Sequence, residues 1–146
     1  MKITDALVAE HTIFLSVFDQ IERVLPSLTS LSEVRTMASV VEGLLQGHSS
    51  RETDLAYIAL DHVLEHKGEL DRMHHEHAEL DARLKSIQTA TNCTEARRLL
   101  KTTLGSSREH FRLEERVLFP LLERSLKTET LRELGRTWLE REAASR

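Results

Sequence analysis

With a single cysteine, Cys93, the chain cannot form an internal disulfide, and a reducing cytoplasm is its default compartment. Long hydrophobic runs are also missing. The longest are a few residues, far below the roughly 20 that a membrane-spanning helix needs. No apolar stretch of signal-peptide type follows the opening Met1-Lys2-Ile3-Thr4-Asp5. Basic charge is not in excess, since 24 acidic residues against 20 basic ones give a formal net charge of −4. Lys and Arg form no cluster of the kind that nucleic acid calls for. Neither a membrane nor a nucleic acid is therefore an expected partner. Only five glycines and two prolines interrupt 146 residues in which Leu, Glu, Arg and Ala abound, as in a helical protein. That length suits one domain, spanning 1–146, with a real hydrophobic core.

Apolar residues recur at helical spacing almost throughout. A first helix is predicted from about Asp5 to Leu25, capped by Thr4, with Leu7, Phe14, Phe18, Ile21 and Leu28 on its inner seam. Pro26, Ser27 and Ser30 punctuate the chain. Ser30 and Glu33 then have the spacing of a capping box. The second helix carries Met37, Val41, Leu44, Leu55 and Ala59 and extends into the low sixties, where Gly68 is the one nearby sign of a turn. The third carries Leu70, Met73, Leu80, Leu84 and Ile87. Thr89 to Thr94 is a polar break in which Asn92 and Glu95 repeat the cap spacing. The fourth carries Leu99, Thr103, Val117 and Leu121, with a kink or early stop expected at Pro120. A fifth segment, about 130–142, shows Leu131, Leu134 and Trp138 on one side, for packing on the bundle or on a partner. The expected fold is all-α: an up-down-up-down four-helix bundle over about 5–123 with a short C-terminal fifth helix.

Histidine is plentiful, with eight residues, and four of them fall in these apolar seams. His11 continues the line of Leu7, Phe14 and Phe18. His48 and Glu52 lie between Leu44 and Leu55, His77 between Met73 and Leu80, and His110 and Glu114 between Thr103 and Val117. Each main helix thus turns one imidazole inward, and two add a carboxylate one turn further on. A buried carboxylate costs several kcal/mol unless a charge compensates it. No Lys or Arg lies at a nearby seam position to do so. Metal ions held by imidazole nitrogens and carboxylate oxygens supply the missing charge. The candidate ligands are His11, His48, Glu52, His77, His110 and Glu114.

Spacing along the chain agrees. Helices that run up and down bring residues to one depth when the turn falls midway between them. The midpoint of His11 and His48 lies at Leu28 to Ser30, and that of His77 and His110 at Cys93 and Thr94, both inside predicted breaks. The midpoint of His48 and His77 falls near His62, where the turn signal is faint. The chain also repeats itself. Glu10-His11 matches Glu76-His77, and His48-x-x-x-Glu52 matches His110-x-x-x-Glu114. Further on, Tyr57, Leu60 and Asp61 match Phe119, Leu122 and Glu123. Two such hairpins facing each other build a nearly two-fold site, as a bridged pair of metals requires.

Over about 5–123, and most specifically at His110-Phe111-Arg112-Leu113-Glu114-Glu115 with Leu118-Phe119-Pro120, the sequence resembles the hemerythrin family in its HHE cation-binding branch. The resemblance implies two non-haem iron ions bridged by the two carboxylates. It implies His11, His48 with Glu52, and His110 with Glu114 as ligands, and His77 as the third-helix histidine. Zinc or manganese would suit the same donors. Oxygen-carrying members place two histidines four apart on the third helix, whereas here Met73 precedes His77 by four. His74, three before, is the candidate for a fifth imidazole. His62 reads as a core or capping residue or an outer contributor, and His66 and His75 as solvated. Glu10, Glu76 and Glu115 sit one residue from a ligand and read as surface charge. Tyr57 reads as packing, or as a redox or hydrogen-bonding group.

Three functions follow as expectations. One is a di-iron protein that binds or senses oxygen, nitric oxide or iron, with a small diatomic molecule or peroxide as its ligand. Another is a redox enzyme acting on peroxide or nitric oxide. The third is a metal-free interaction bundle with the segment around Trp138 as its docking or self-association face.

Overall fold

Ser30 and Glu33 show how the helices begin. The Glu33 N–H donates to Ser30 Oγ (3.2 Å) and the Ser30 N–H donates to Glu33 Oε2 (2.9 Å), a reciprocal cap at the start of the second helix. Asn92 does half of this for the fourth, accepting from the Glu95 N–H at 2.8 Å. The first helix starts two residues earlier than Thr4 suggested. Its cap position is Lys2, whose N–H donates to Asp5 Oδ2 (2.8 Å), while Thr4 lies inside the helix and donates to Glu123 Oε1 (2.7 Å).

The structure, a computed structural model, describes residues 1–144. Its helices are α1 (Ile3–Val24), α2 (Leu31–Glu52), α3 (Ile58–Asp61), α4 (Gly68–Thr89), α5 (Cys93–Leu113), α6 (Phe119–Ser125) and α7 (Thr128–Ala144). Two π-helical segments, Thr53–Tyr57 and Glu114–Leu118, join α2 to α3 and α5 to α6 without a break. There is no strand among the described residues. The faintly signalled turn exists, at residues 62–67, and His62 caps the end of α3 on the exposed surface rather than in the core.

The π segments explain where the sequence pattern slips. Before each segment Val41, His48 and Glu52, and Thr103, His110 and Glu114, are buried as predicted. Beyond each, the buried side chains move on by one residue. Leu60 is buried where Ala59 was expected, and Leu118 and Leu122 replace Val117 and Leu121. A π turn takes one more residue than an α turn, so a strict 3.6-residue reading falls out of phase across it. Pro120 falls in the first turn of α6, and the helix runs on to Ser125 without the early stop. Elsewhere Met37, Leu44 and Leu99 only flank the core, which Ala38, Leu45 and Leu100 fill.

Two apolar clusters divide the interior. Phe14, Phe18, Ile21, Val41, Leu84, Leu104 and Phe111 belong to one, at the end bearing the α1–α2 and α4–α5 connections. Cys93, which opens α5 rather than lying in the turn, donates from Sγ to the Leu28 carbonyl there (3.6 Å). Leu7, Leu55, Tyr57, Leu60, Met73, Leu118 and Leu122 form the other. Between them lie the polar seam residues.

The fifth helix packs on the bundle. Leu131 is buried, and Leu134 and Trp138 pack against the second cluster. Gly135 makes the close approach possible: a Cβ there would lie 2.5 Å from the Met1 carbonyl oxygen and 3.0 Å from the Lys2 carbonyl carbon. Gly135→Ala is expected to push α7 off α1 and lower stability by about 1–3 kcal/mol, despite alanine's better helix propensity. Urea denaturation reads this directly, and an unchanged midpoint would show that the start of α1 yields freely.

Candidate metal centre

Four helices bring the six seam residues to one depth. His11 comes from α1, His48 and Glu52 from α2, His77 from α4, His110 from α5, and Glu114 from the start of the second π segment. All are buried except His77, which is half-buried. They form two groups sharing one carboxylate. His11, His48 and Glu114 make one; Glu52, His77, His110 and Glu114 make the other, each with ligand atoms within 4.8 Å of one another. Glu114 divides its oxygens between them, with Oε2 3.3 Å from His11 Nε2 and Oε1 2.8 Å from His110 Nε2. Glu52 Oε2 lies 3.5 Å from His77 Nε2 and 3.8 Å from His48 Nε2, so it too reaches an imidazole of each group.

The outer contacts fix which nitrogen faces inward, and here the sequence reading needs correction. Glu10, which is buried, Glu76, which is half-buried, and Glu115, which stays exposed, each meet a histidine and so do more than carry surface charge. His48 Nδ1 is 3.0 Å from Glu10 Oε2, His110 Nδ1 is 2.7 Å from Glu76 Oε2, and His11 Nδ1 is 2.9 Å from Glu115 Oε1. A carboxylate accepts a proton, so each imidazole carries its hydrogen on Nδ1 and aims the Nε2 lone pair at the centre. Each Glu of an EH pair therefore serves the histidine of the adjoining helix. One residue from an inward position turns about 100° around a helix, toward a neighbouring helix rather than to water. The repeated EH element was the signal that could have revealed this.

Tyr57 is likewise more than packing. Its hydroxyl donates to Glu114 Oε1 at 2.8 Å, and its ring stacks on His77 with centroids 5.5 Å apart. At the matching position of the other hairpin, Phe119 stacks on His11 at 5.6 Å without a hydroxyl. The site is thus two-fold in outline and asymmetric in its polar detail. His74 stays exposed, its ring meeting the edge of Tyr57, and adds no imidazole to either group. His66 and His75 are exposed as expected.

Toward the centre, several atoms of the six seam residues lack partners. Both Glu52 oxygens, Glu114 Oε2 and His110 Nε2 are buried without a hydrogen bond, because the close approaches are not aligned for one. His11 Nε2 and His48 Nε2 face each other at 3.1 Å. Two lone pairs at that distance repel unless a proton or a metal ion lies between them. Titration follows the same charges. Burial and then the neighbouring Glu114 push the Glu52 carboxyl up. Burial acts on Glu114 in the same sense, but contacts from His11, His110 and His77 hold it well below the usual carboxylate range. Burial disfavours the charged form of His77, yet Glu114 and Glu52 outweigh it and raise it to about 9. His11 and His110 are raised too, against burial, chiefly by Glu114.

The chain matches the family model described as Hemerythrin HHE cation binding domain over residues 2–122. It belongs to this family. Searches of curated proteins and of solved structures gave no match. The hemerythrin-family match takes in both hairpins with all six seam residues and ends before α7. The unpartnered donors fit a cation-binding role, since a cation satisfies buried carboxylates and lone pairs together. No helix among the described residues is long and apolar enough to cross a membrane.

Protons held by the metal-free hemerythrin-type centre must leave when a cation enters. Apparent affinity for zinc is therefore expected to rise by about tenfold or more per pH unit between the usual imidazole value of 6.5 and about 9. Calorimetry in buffers of differing ionisation heat measures the protons released. A pH-independent affinity would contradict the assignment. In the metal-free chain, the raised His77 contributes stability that is complete below 6.5 and is lost as pH rises through about 9.

Proposed function

We propose that the chain binds two non-haem iron ions, bridged by Glu52 and Glu114, and uses them to bind or sense oxygen, nitric oxide or iron. One ion takes His11 and His48, the other His77 and His110. The observation that carries this reading is the pair of His/Glu groups sharing Glu114, with Glu52 buried and unpartnered beside both. Imidazole and carboxylate donors suit iron, and equally zinc or manganese. A shell rich in imidazole suits reversible binding. Beside the groups, a cavity of about 10 Å³, lined in part by Leu45, His48, His77, Leu80 and His110, has room for roughly one water-sized molecule. Cys93 as the one thiol fits a reducing cytoplasm as the location.

Metal analysis of protein made in iron-supplied cells tests the core of this. Two irons per chain are expected, with an absorption spectrum that changes on exposure to oxygen or nitric oxide and reverts on its removal. Metal-free protein from such cells would sink the reading.

Tyr57 favours a second reading, turnover of peroxide or nitric oxide. A phenol donating to the shared carboxylate is a source of an electron at the centre, its proton passing to Glu114 as the electron leaves. Burial and then the nearby Glu52 and Glu114 keep this phenol protonated. Consumption of peroxide by the iron-loaded chain, lost in Tyr57→Phe with iron retained, would select turnover over reversible binding.

A further inference from the structure

The contact around His48 does not end at Glu10. That carboxylate uses both oxygens, Oε2 toward His48 Nδ1 and Oε1 as acceptor from Arg51 Nη2 at 2.5 Å. Arg51 Nη1 lies 2.9 Å from Glu142 Oε1, on α7. One guanidinium thus joins carboxylates of α1 and α7 while standing on α2. Gly47, one turn before it, leaves the space it fills, since a Cβ there would sit 3.2 Å from Arg51 Nη1.

The other half of the site has no such link. The position matching Arg51 in the second hairpin is Leu113. There, the Glu76 that faces His110 is met instead by Arg72 of its own helix, at 3.0 Å, and the pair makes no contact with α7. The two groups differ in their attachment to the fifth helix, and that helix lies outside the segment matched by the family.

We propose that Arg51 and Glu142 are positioning residues through which α7 fixes the His48 imidazole, so that docking of the C-terminal helix sets how tightly one of the two cations is held. Arg51 pairs opposite charges at both of its joints and Glu10 accepts from the His48 Nδ1–H, so each contact keeps its neighbour in one geometry. Losing an outer contact of a metal-binding histidine typically costs about 10–100-fold in metal affinity. With α7 displaced, Arg51 keeps Glu10 but loses its own anchor, and the His48 ring gains freedom that His110 does not.

Arg51→Met, Glu142→Gln and a control, Arg141→Gln, test this. Arg141 also stands on α7, but pairs with the exposed Asp54. In metal-free protein, imidazole 15N NMR should show the His48 signals displaced in the first two variants and the His110 signals unmoved. In protein loaded with ferrous iron, Arg51→Met should release one ion to a chelator about tenfold faster and Glu142→Gln the same ion about threefold faster. The second ion and the Arg141→Gln control should leave at the parent rate. The metal arm rests on the two-cation reading; the NMR arm does not. A parent chain that takes up no iron would sink that reading alone. Unmoved His48 signals, or release that Arg141→Gln accelerates equally, would overturn the relay itself.

Discussion

Glu114→Gln protein is expected to carry almost no metal when purified from iron-supplied cells, although it keeps the fold. Among the described residues, no other side chain belongs to both groups of candidate ligands. One of its oxygens faces His11, and the other faces His110 and the Tyr57 hydroxyl. Replacing one oxygen by an amide nitrogen keeps the shape but removes a negative charge and turns an acceptor into a donor. Whichever way the amide turns, one of the two groups meets N–H hydrogens instead of a lone pair. The loss should exceed the roughly 10–100-fold that goes with an outer contact, and it should fall on both ions. Metal content per chain and the metal-induced rise in melting temperature both report it, since an ion that binds only the folded state must stabilise that state. A variant that retains one tightly bound ion would show that the groups are independent and that Glu114 does not bridge them.

Glu52→Leu should act in opposite directions on the two forms of the protein. Metal binding should be lost. The metal-free chain should become more stable by about 1–3 kcal/mol, or about 5 °C in melting temperature for a chain of this size. Glu52 is fully buried, both its oxygens lack a hydrogen bond, and its carboxyl is pushed up by burial and by Glu114. A leucine of similar volume removes the desolvated oxygens, and the apolar Leu55 and Tyr57 stand one turn away. His77 keeps Glu114 as its counter-charge, 3.7 Å away, so no imidazolium is stranded. Melting of chelator-treated parent and variant side by side decides it. A lower melting temperature in the variant would mean that Glu52 stabilises the empty bundle, and that its burial does not need a metal to explain it.

How much of this was legible in the sequence differs along each helix. The interruption of apolar seams by His11, His48, Glu52, His77, His110 and Glu114 was legible, because α-helical phase is preserved from each helix start to that depth. Ser30 and Asn92 were legible as caps because the cap is a local hydrogen bond between residues three apart. What lay beyond the two glutamates was not, because a π turn leaves no mark in composition, and Ala59, Val117 and Leu121 were read as inward in its place. The roles of Glu10, Glu76 and Glu115 depend on which helix stands beside which. A single-helix projection shows them leaving the core and does not show the imidazole they meet. Thr4 and Lys2 show the same limit on a smaller scale, as the partner that draws Thr4 inward, Glu123, lies at the far end of the bundle sequence.

The paired π segments give the molecule a division that its continuous helices conceal. Each inserts a phase step of about 100°, one just after Glu52 and the other beginning at Glu114. The stretch carrying the imidazoles and the stretch carrying Tyr57, Leu60, Leu118 and Leu122 face inward by separate settings. Closing either π turn into an α turn with no residue removed would leave the liganding stretch where it is and rotate everything after it. Val117 and Leu121 would then turn in, and Phe119 would swing away from His11. The lower half of the bundle is in this sense geared to the upper half, and the gear tooth is a single residue in each hairpin. Lengthening or shortening loops such as 62–67 leaves that gearing alone, whereas closing the π turn at Glu52 or Glu114 into an α turn resets it.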